Sequence, residues 1–269
     1  SQRPALMAEL TALRENLREL QRVVVAFSGG VDSGFLAWVA NDTLGPDSVQ
    51  CVTAVSPSLA GDELRDCESL ASEWGLNWLP IETREMEDAA YRVNDADRCY
   101  HCKSALMDVA VPVAEKNESV IVLGVNTDDL GDHRPGQRAA GERDAKFPLV
   151  EAGFSKAEIR RWSKDLGLRI WDKPAAACLA SRIPYGTEVS VPLLRRLDRA
   201  ESALRSLGFR QLRVRDYGDT ARIELDLGEL QEAIQHREQI IETLHSVGYR
   251  YITLDLEGFR SGNLNHSVQ

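Results

Sequence analysis

No apolar run in this chain reaches the roughly 18 to 20 residues that a membrane-spanning helix needs, so a helical membrane protein is excluded. Ser1–Leu20 mixes acidic and basic residues among leucines and reads as a polar amphipathic helix rather than a signal peptide, so a cytoplasmic protein is expected. Positive charge is also in deficit. The net charge of −10 argues against broad non-specific binding of nucleic acid, which needs a basic field, although a local basic patch remains compatible with it. Cysteines are few and odd in number, five in all. Without a secretory signal they speak against a disulfide scaffold and for reduced thiols that are either buried or chemical. Repeats and low-complexity linkers are missing too. With 43% apolar and 28% charged residues the 269-residue chain has ordinary globular composition, enough for one large core or two modest ones.

Within that frame, apolar runs and turn signals predict strands at 22–27, 49–55, 77–82 and 119–124, alternating with helices at 33–43, 60–74 and 103–116. The alternation predicts an α/β fold, a doubly wound parallel sheet with helices on both faces. Ligands of such sheets sit beyond the carboxyl ends of the strands. Three distinctive segments lie there: 28–33, Val55-Ser56-Pro57-Ser58 and Gly124-Val125-Asn126-Thr127-Asp128-Asp129. Residues 130–150 lack periodicity and read as a long loop that orders on ligand binding. A helix at 155–167 follows. Beyond Pro174 the pattern becomes helix 192–207, adjacent antiparallel strands 211–217 and 221–226, a helical stretch 228–247 and an exposed strand 251–257. This is a smaller α+β domain, and the boundary is placed near 185, giving domains 1–185 and 186–269.

Ser28-Gly29-Gly30-Val31-Asp32-Ser33 follows the apolar run Val23–Phe27 and precedes Gly34-Phe35-Leu36-Ala37. A strand that ends in two glycines and hydroxyls and then enters a helix aims backbone N–H groups and a helix N-terminus at one spot, which favours an anion. Gly29 and Gly30 allow positive φ and close approach of an oligophosphate, while Ser28 and Ser33 add donors. The Lys-Ser or Lys-Thr pair of a mononucleotide P-loop is missing. An ordinary strand-to-helix turn capped by Asp32 and Ser33 is the bland alternative.

Cys99-Tyr100-His101-Cys102 lies just before the helix predicted at 103, and Cys178 lies in the small-residue stretch Ala175-Ala176-Ala177-Cys178. A C-x2-C pair at a helix start brings two sulfurs together and stabilises thiolates. Three thiolates leave one position of a tetrahedral or cubane site open, as a catalytic iron or zinc requires. Closure of a zinc site by His101, or three unrelated buried thiols, explains the same residues. Cys51 and Cys67 read as packing residues.

Taken together, SGGVDS, Arg98-Cys99-Tyr100-His101-Cys102-Lys103, Gly124–Asp129 and Cys178-Leu179-Ala180-Ser181-Arg182-Ile183-Pro184-Tyr185-Gly186 closely resemble the LarE family over nearly the whole chain. These are ATP-dependent sulfur transferases of the PP-loop ATP pyrophosphatase superfamily, with its adenine nucleotide α-hydrolase-like fold. They help make the nickel-pincer nucleotide cofactor of lactate racemase. The resemblance implies adenylation of a carboxylate of pyridinium-3,5-biscarboxylic acid mononucleotide, release of pyrophosphate, and sulfur insertion. Adenylation is needed because a delocalised carboxylate resists nucleophiles until AMP becomes its leaving group. One form of the family gives up the sulfur of the cysteine matching Cys178. The other holds a 4Fe-4S cluster with three cysteines, the fourth iron carrying a hydrosulfide, and Cys99 and Cys102 place this chain with the second.

The resemblance also implies roles. Ser28, Gly29, Gly30, Asp32 and Ser33 hold the ATP phosphates and magnesium, with the segment from Gly124 alongside. Asp128 or Asp129 is a further magnesium candidate, and helix capping is the bland alternative for that pair. Ala54 and Ser56 are expected adenine neighbours. Ser181, Arg182, Arg213 and Arg215 are expected on the substrate phosphate, the last two sharing a strand face; a solvated strand face explains them as well. Glu201 matches an acidic residue near the catalytic site, although a surface carboxylate would look the same. The implied partners are a small-molecule nucleotide and a sulfide source, the implied assembly a homo-oligomer, a hexamer, and nucleic acid is not expected. The rivals are a tRNA thiolase with the same loop and cluster, an amide synthetase of the same superfamily, and a nucleotide-binding regulator. A tRNA thiolase usually has a basic platform or a zinc-ribbon appendage, whereas this chain is acidic and has no second pair of C-x2-C motifs.

Overall fold

The computed structural model describes residues 2–130 and 135–260. In chain order the regular elements are α1 (Gln2–Leu20), β1 (Val23–Ala26), α2 (Val31–Leu44), β2 (Val49–Val55), α3 (Gly61–Trp74), β3 (Trp78–Glu82), α4 (Ala89–Arg92), α5 (Arg98–Lys116), β4 (Val120–Leu123), α6 (Pro135–Gly141), α7 (Pro148–Glu151), α8 (Lys156–Asp165), α9 (Val191–Ser206), β5 (Leu212–Tyr217), β6 (Thr220–Leu225), α10 (Leu230–Gln235), α11 (Arg237–Val247) and β7 (Tyr251–Leu254). They form two compact units. One comprises Ser1–Ser56, Glu63–Glu85 and Cys99–Ala176; the other comprises Pro57–Asp62, Met86–Arg98 and Ala177–Gln269. The two early segments of the second unit carry no sequence mark.

The first unit is built on a parallel sheet in the order β3-β2-β1-β4. Successive side chains of a strand point to opposite faces, and β1 shows what that implies. Val23 and Val25 pack in one core with Phe35, Leu36, Leu149 and Phe154, whereas Val24 packs in another with Met107, Ala110 and Ile121. A strand buried on both faces must be apolar throughout, which is why Val23–Phe27 has no polar alternation. The doubly wound arrangement follows. Cys51 and Cys67 are buried in the first of these cores, and burial pushes their thiols up to about 12 and about 11.

Two expectations need correction. The stretch 130–150 is not one long loop: it holds α6, a bridge from Lys146 to Val122 and α7. Its helix escapes a search for apolar periodicity because the face it buries is only Ala139 and Ala140. Residues 131–134 of that stretch lie outside the described residues. Helix α5 starts at Arg98 rather than 103, so Cys99 and Cys102 are in its first turn.

In the second unit β5 and β6 are antiparallel around a turn with Gly218 at φ 70°, and β7 adds parallel to β6. Leu194, Leu197, Leu204, Val214 and Ile223 form its buried apolar side.

Candidate functional site

β1 delivers the chain into a loop whose shape glycine permits. Gly29 has φ +72°, and a Cβ there would lie 2.8 Å from Cys67 Sγ. Gly30 caps α2 with no side-chain hydrogen bond to the first-turn amides, which leaves those donors for a ligand. Ser33 Oγ accepts from the Ser28 N–H at 3.1 Å and lies 3.0 Å from Ser28 Oγ, closing the loop. Gly124, at the end of β4, permits the approach of α2: a Cβ on it would lie 2.7 Å from the Ser33 nitrogen.

Asp32 stands in the first turn of α2. Its Oδ2 accepts from Lys156 Nζ at 2.7 Å and from Asn126 Nδ2 at 3.3 Å. Its Oδ1 is buried with no hydrogen-bond partner among the described residues. An orphaned carboxylate oxygen among phosphate donors suits a divalent cation carrying the polyphosphate. Lys156, the first residue of α8, supplies the ammonium that the loop itself lacks. Asp128 and Asp129 serve as caps: Asp129 Oδ2 accepts from the Asn126 N–H at 3.0 Å, and Asp128 Oδ2 from the Lys156 N–H at 2.9 Å. Ala54 is half-buried near the carboxyl end of β2, paired with Ile81 of β3.

Cys99 is exposed and Cys102 half-buried. Their i, i+3 spacing on α5 puts them on one side of the helix. Helix α6 braces this turn: Tyr100 donates to Glu142 at 2.6 Å, and the Arg138 guanidinium lies 4.8 Å from the Tyr100 ring centre. Burial lowers the Lys103 pKa, and the charges of Cys102 and Cys99 oppose that shift. Among the described residues no group of three or more His, Cys, Asp or Glu side chains forms a metal-binding set.

Cys178 belongs to the second unit, half-buried at the start of the turn Leu179–Arg182. Arg182 donates to Ser181 Oγ at 2.9 Å and Ala177 O at 2.9 Å, and grips Glu201 through two bonds of 2.7 and 3.0 Å. Glu201 is fully buried, and it also accepts from Arg205 and from the Val214 N–H. Neither a surface carboxylate nor a free base, it fixes Arg182 against β5. Arg215 is held in the same way by Glu224, at 2.9 and 3.2 Å, and donates to Ser181 O at 2.7 Å. Arg213 differs. It is buried against the Phe259 ring, and its guanidinium has no ion pair or hydrogen bond among the described residues. Burial first, then the charges of Arg182 and Arg215, push its pKa down to about 10. The arginine-bearing strand face is therefore not solvated. Arg98, which precedes Cys99, is buried and bonded to Asn94 and, at 3.1 Å, to Ala180 O.

Over 253 residues the chain is 39% identical to a pyridinium-3,5-bisthiocarboxylic acid mononucleotide synthase of Lactiplantibacillus plantarum, covering 94% of this chain and 92% of that protein. The chain belongs to the LarE family. It is accordingly an ATP-using sulfur transferase on a PP-loop fold. An uncharacterized Synechocystis protein is 46% identical over 97% of this chain and 98% of its own. The NAD synthase family matches residues 7–108, and a glutamine-dependent NAD(+) synthetase of Aquifex aeolicus is 28% identical over 39% of this chain. The NAD synthase match includes the phosphate loop at 28–33.

In this LarE-family chain the first unit brings together Ser28, Gly29, Gly30, Asp32, Ser33 and Gly124; the second brings together Ser181, Arg182, Arg213, Arg215 and Glu201. Sequence reasoning missed Lys156, Asn126 and Glu224. Asn126 lies in the Gly124–Asp129 segment already singled out, whereas Lys156 and Glu224 carry no local signal of their roles.

Proposed function

We propose that this chain uses ATP to adenylate a carboxylate of pyridinium-3,5-biscarboxylic acid mononucleotide and then inserts sulfur, for biosynthesis of the nickel-pincer nucleotide. The observation that carries the reading is Arg213: a buried guanidinium with no direct ion pair among the described residues, whose charge is opposed by those of Arg182 and Arg215 and offset only at a distance by Glu224 and Glu201, suits a phosphate. The phosphate loop of the first unit suits ATP, so a second phosphate site suits a substrate that is itself a mononucleotide.

The α2 amides, Ser28, Ser33 and Lys156 hold the β and γ phosphates. Asp32 Oδ1 is the oxygen offered to magnesium. The substrate carboxylate attacks the α-phosphorus, the bond to the bridging oxygen breaks, and pyrophosphate leaves with its charge spread over those donors. Ser181, Arg182, Arg213 and Arg215 fix the mononucleotide phosphate. Cys99, Cys102 and Cys178 would hold a 4Fe-4S cluster. The pair on the first turn of α5 offers two sulfur donors of the kind such a cluster needs, and Cys178 of the second unit is the third by the family resemblance. Such a cluster, when bound, would supply sulfide-level sulfur as a nucleophile, its new bond to the acyl carbon replacing the bond to AMP. A cytoplasmic homo-oligomer, a hexamer fed by a sulfide donor, completes the reading.

The test is release of pyrophosphate and AMP from ATP with the purified substrate. Wild-type protein should produce both, and Asp32→Ala should produce neither while keeping its iron content. Retained AMP formation in that variant would contradict the assignment.

A further inference from the structure

The ammonium of Lys173 is buried in the first unit, 144 residues along the chain from the loop it touches. Its Nζ donates to Gly29 O at 3.0 Å, to Glu63 at 2.7 Å and to Asp66 at 2.5 Å. An ammonium has three protons, and all three are committed. Lys173 therefore has none left for a phosphate. Its side chain is only 15% exposed. The surroundings fix it further: Asp66 also binds Arg169 at 2.7 Å, Arg169 binds Glu73 at 2.9 Å, and Arg160 holds the Lys173 and Trp171 carbonyls at 2.9 and 2.7 Å.

What this ammonium holds matters because of peptide geometry. Gly29 O and the Gly30 N–H belong to one planar trans peptide and point in opposite directions. A carbonyl pinned toward Lys173 turns the Gly30 amide away from that cluster. Gly29 cannot hold the orientation by itself, since a glycine at φ +72° has no side chain to restrict it. Cys67 Sγ closes the space behind Gly29, so the peptide is blocked on one side and bonded on the other.

We propose that Lys173 is a positioning residue for ATP: through Gly29 O it sets the peptide that aims the Gly30 amide at the polyphosphate. This rests on the reading of residues 28–33 as the ATP loop. Loss of the clamp leaves the Gly29–Gly30 peptide free to rotate, so ATP binds to a loop that has to be ordered at the moment of binding.

The experiment compares full-length wild type with Lys173→Met and with the triple variant Lys173→Met, Glu63→Gln, Asp66→Asn, which also removes the charges of the two carboxylates that the ammonium binds. Thermal melting and initial rates of AMP formation are measured over a range of Mg·ATP concentrations. The expected result is a triple variant that melts as a folded protein, with KM for ATP raised fivefold or more and KM for the pyridinium substrate unchanged. A purely structural role would lower the active fraction, and so kcat, at constant KM for ATP. A rise in KM for ATP smaller than fivefold in the folded triple variant therefore overturns the proposal. Wild-type protein that forms no AMP at any ATP concentration would overturn the ATP-loop reading instead.

Discussion

Gly124→Ala tests whether the end of β4 sets the position of the phosphate loop. An alanine Cβ at 124 would stand 2.7 Å from the Ser33 nitrogen and 2.9 Å from the Asp32 carbonyl carbon, where ordinary contact begins at 3.4 Å. The obstacle is backbone of the first turn of α2, so no rotamer change relieves it. The helix start has to retreat by about 0.7 Å, the difference between 3.4 and 2.7 Å. Overpacking of this kind costs about 1–3 kcal/mol. At roughly 2–4 °C per kcal/mol for a chain of this size, the melting temperature falls by about 2–12 °C. The same retreat displaces the amides that receive the phosphates, and misplacement approaching 1 Å costs up to about 100-fold in rate. The assay is pyrophosphate release at ATP well below KM, together with calorimetric melting. Gly141→Ala is the control, because a Cβ there meets nothing within 4 Å; it should match wild type in both measurements. A Gly124→Ala protein with wild-type melting temperature and wild-type kcat/KM for ATP would refute the packing argument.

Arg213→Met should weaken binding of the phosphorylated substrate yet melt no lower than wild type, because methionine fills the volume without burying an unpaired charge; lower melting with unchanged affinity, by calorimetry, refutes the anion-site reading. Burial lowers the Arg213 pKa, so any loss of substrate affinity with pH should begin on the strongly alkaline side, checked by calorimetry across that range. The folded pKa of Arg213 lies below its unfolded value, so between the two the unfolded state binds more protons and this group's contribution to stability rises with pH. Cys99→Ala or Cys102→Ala should abolish the brown absorbance and the iron content of anaerobically purified protein; a colourless zinc protein in wild type would instead favour a closed zinc site.

How much of this was legible in the sequence depended on how local its cause is. The strands of the first sheet were readable because a run such as Val23–Phe27, bounded by glycine, fits only a strand buried on both faces. The glycines of the loop and Gly124 were readable because close backbone approach admits no other residue. Glu201 was legible in principle, and its burial was missed: it falls on the stripe of Leu194, Leu197 and Leu204 along α9, where a carboxylate must find internal partners. The two lysines were not legible. Lys156 reaches Asp32 across 124 residues and Lys173 reaches Gly29 across 144. A lysine acts through the tip of a flexible stem, so many backbone positions deliver the same charge to the same place. Motifs record residues whose type is dictated by the backbone beneath them. A charge that needs only to arrive leaves no such record, and the two ammonium groups on this loop enter the description only through the tertiary fold.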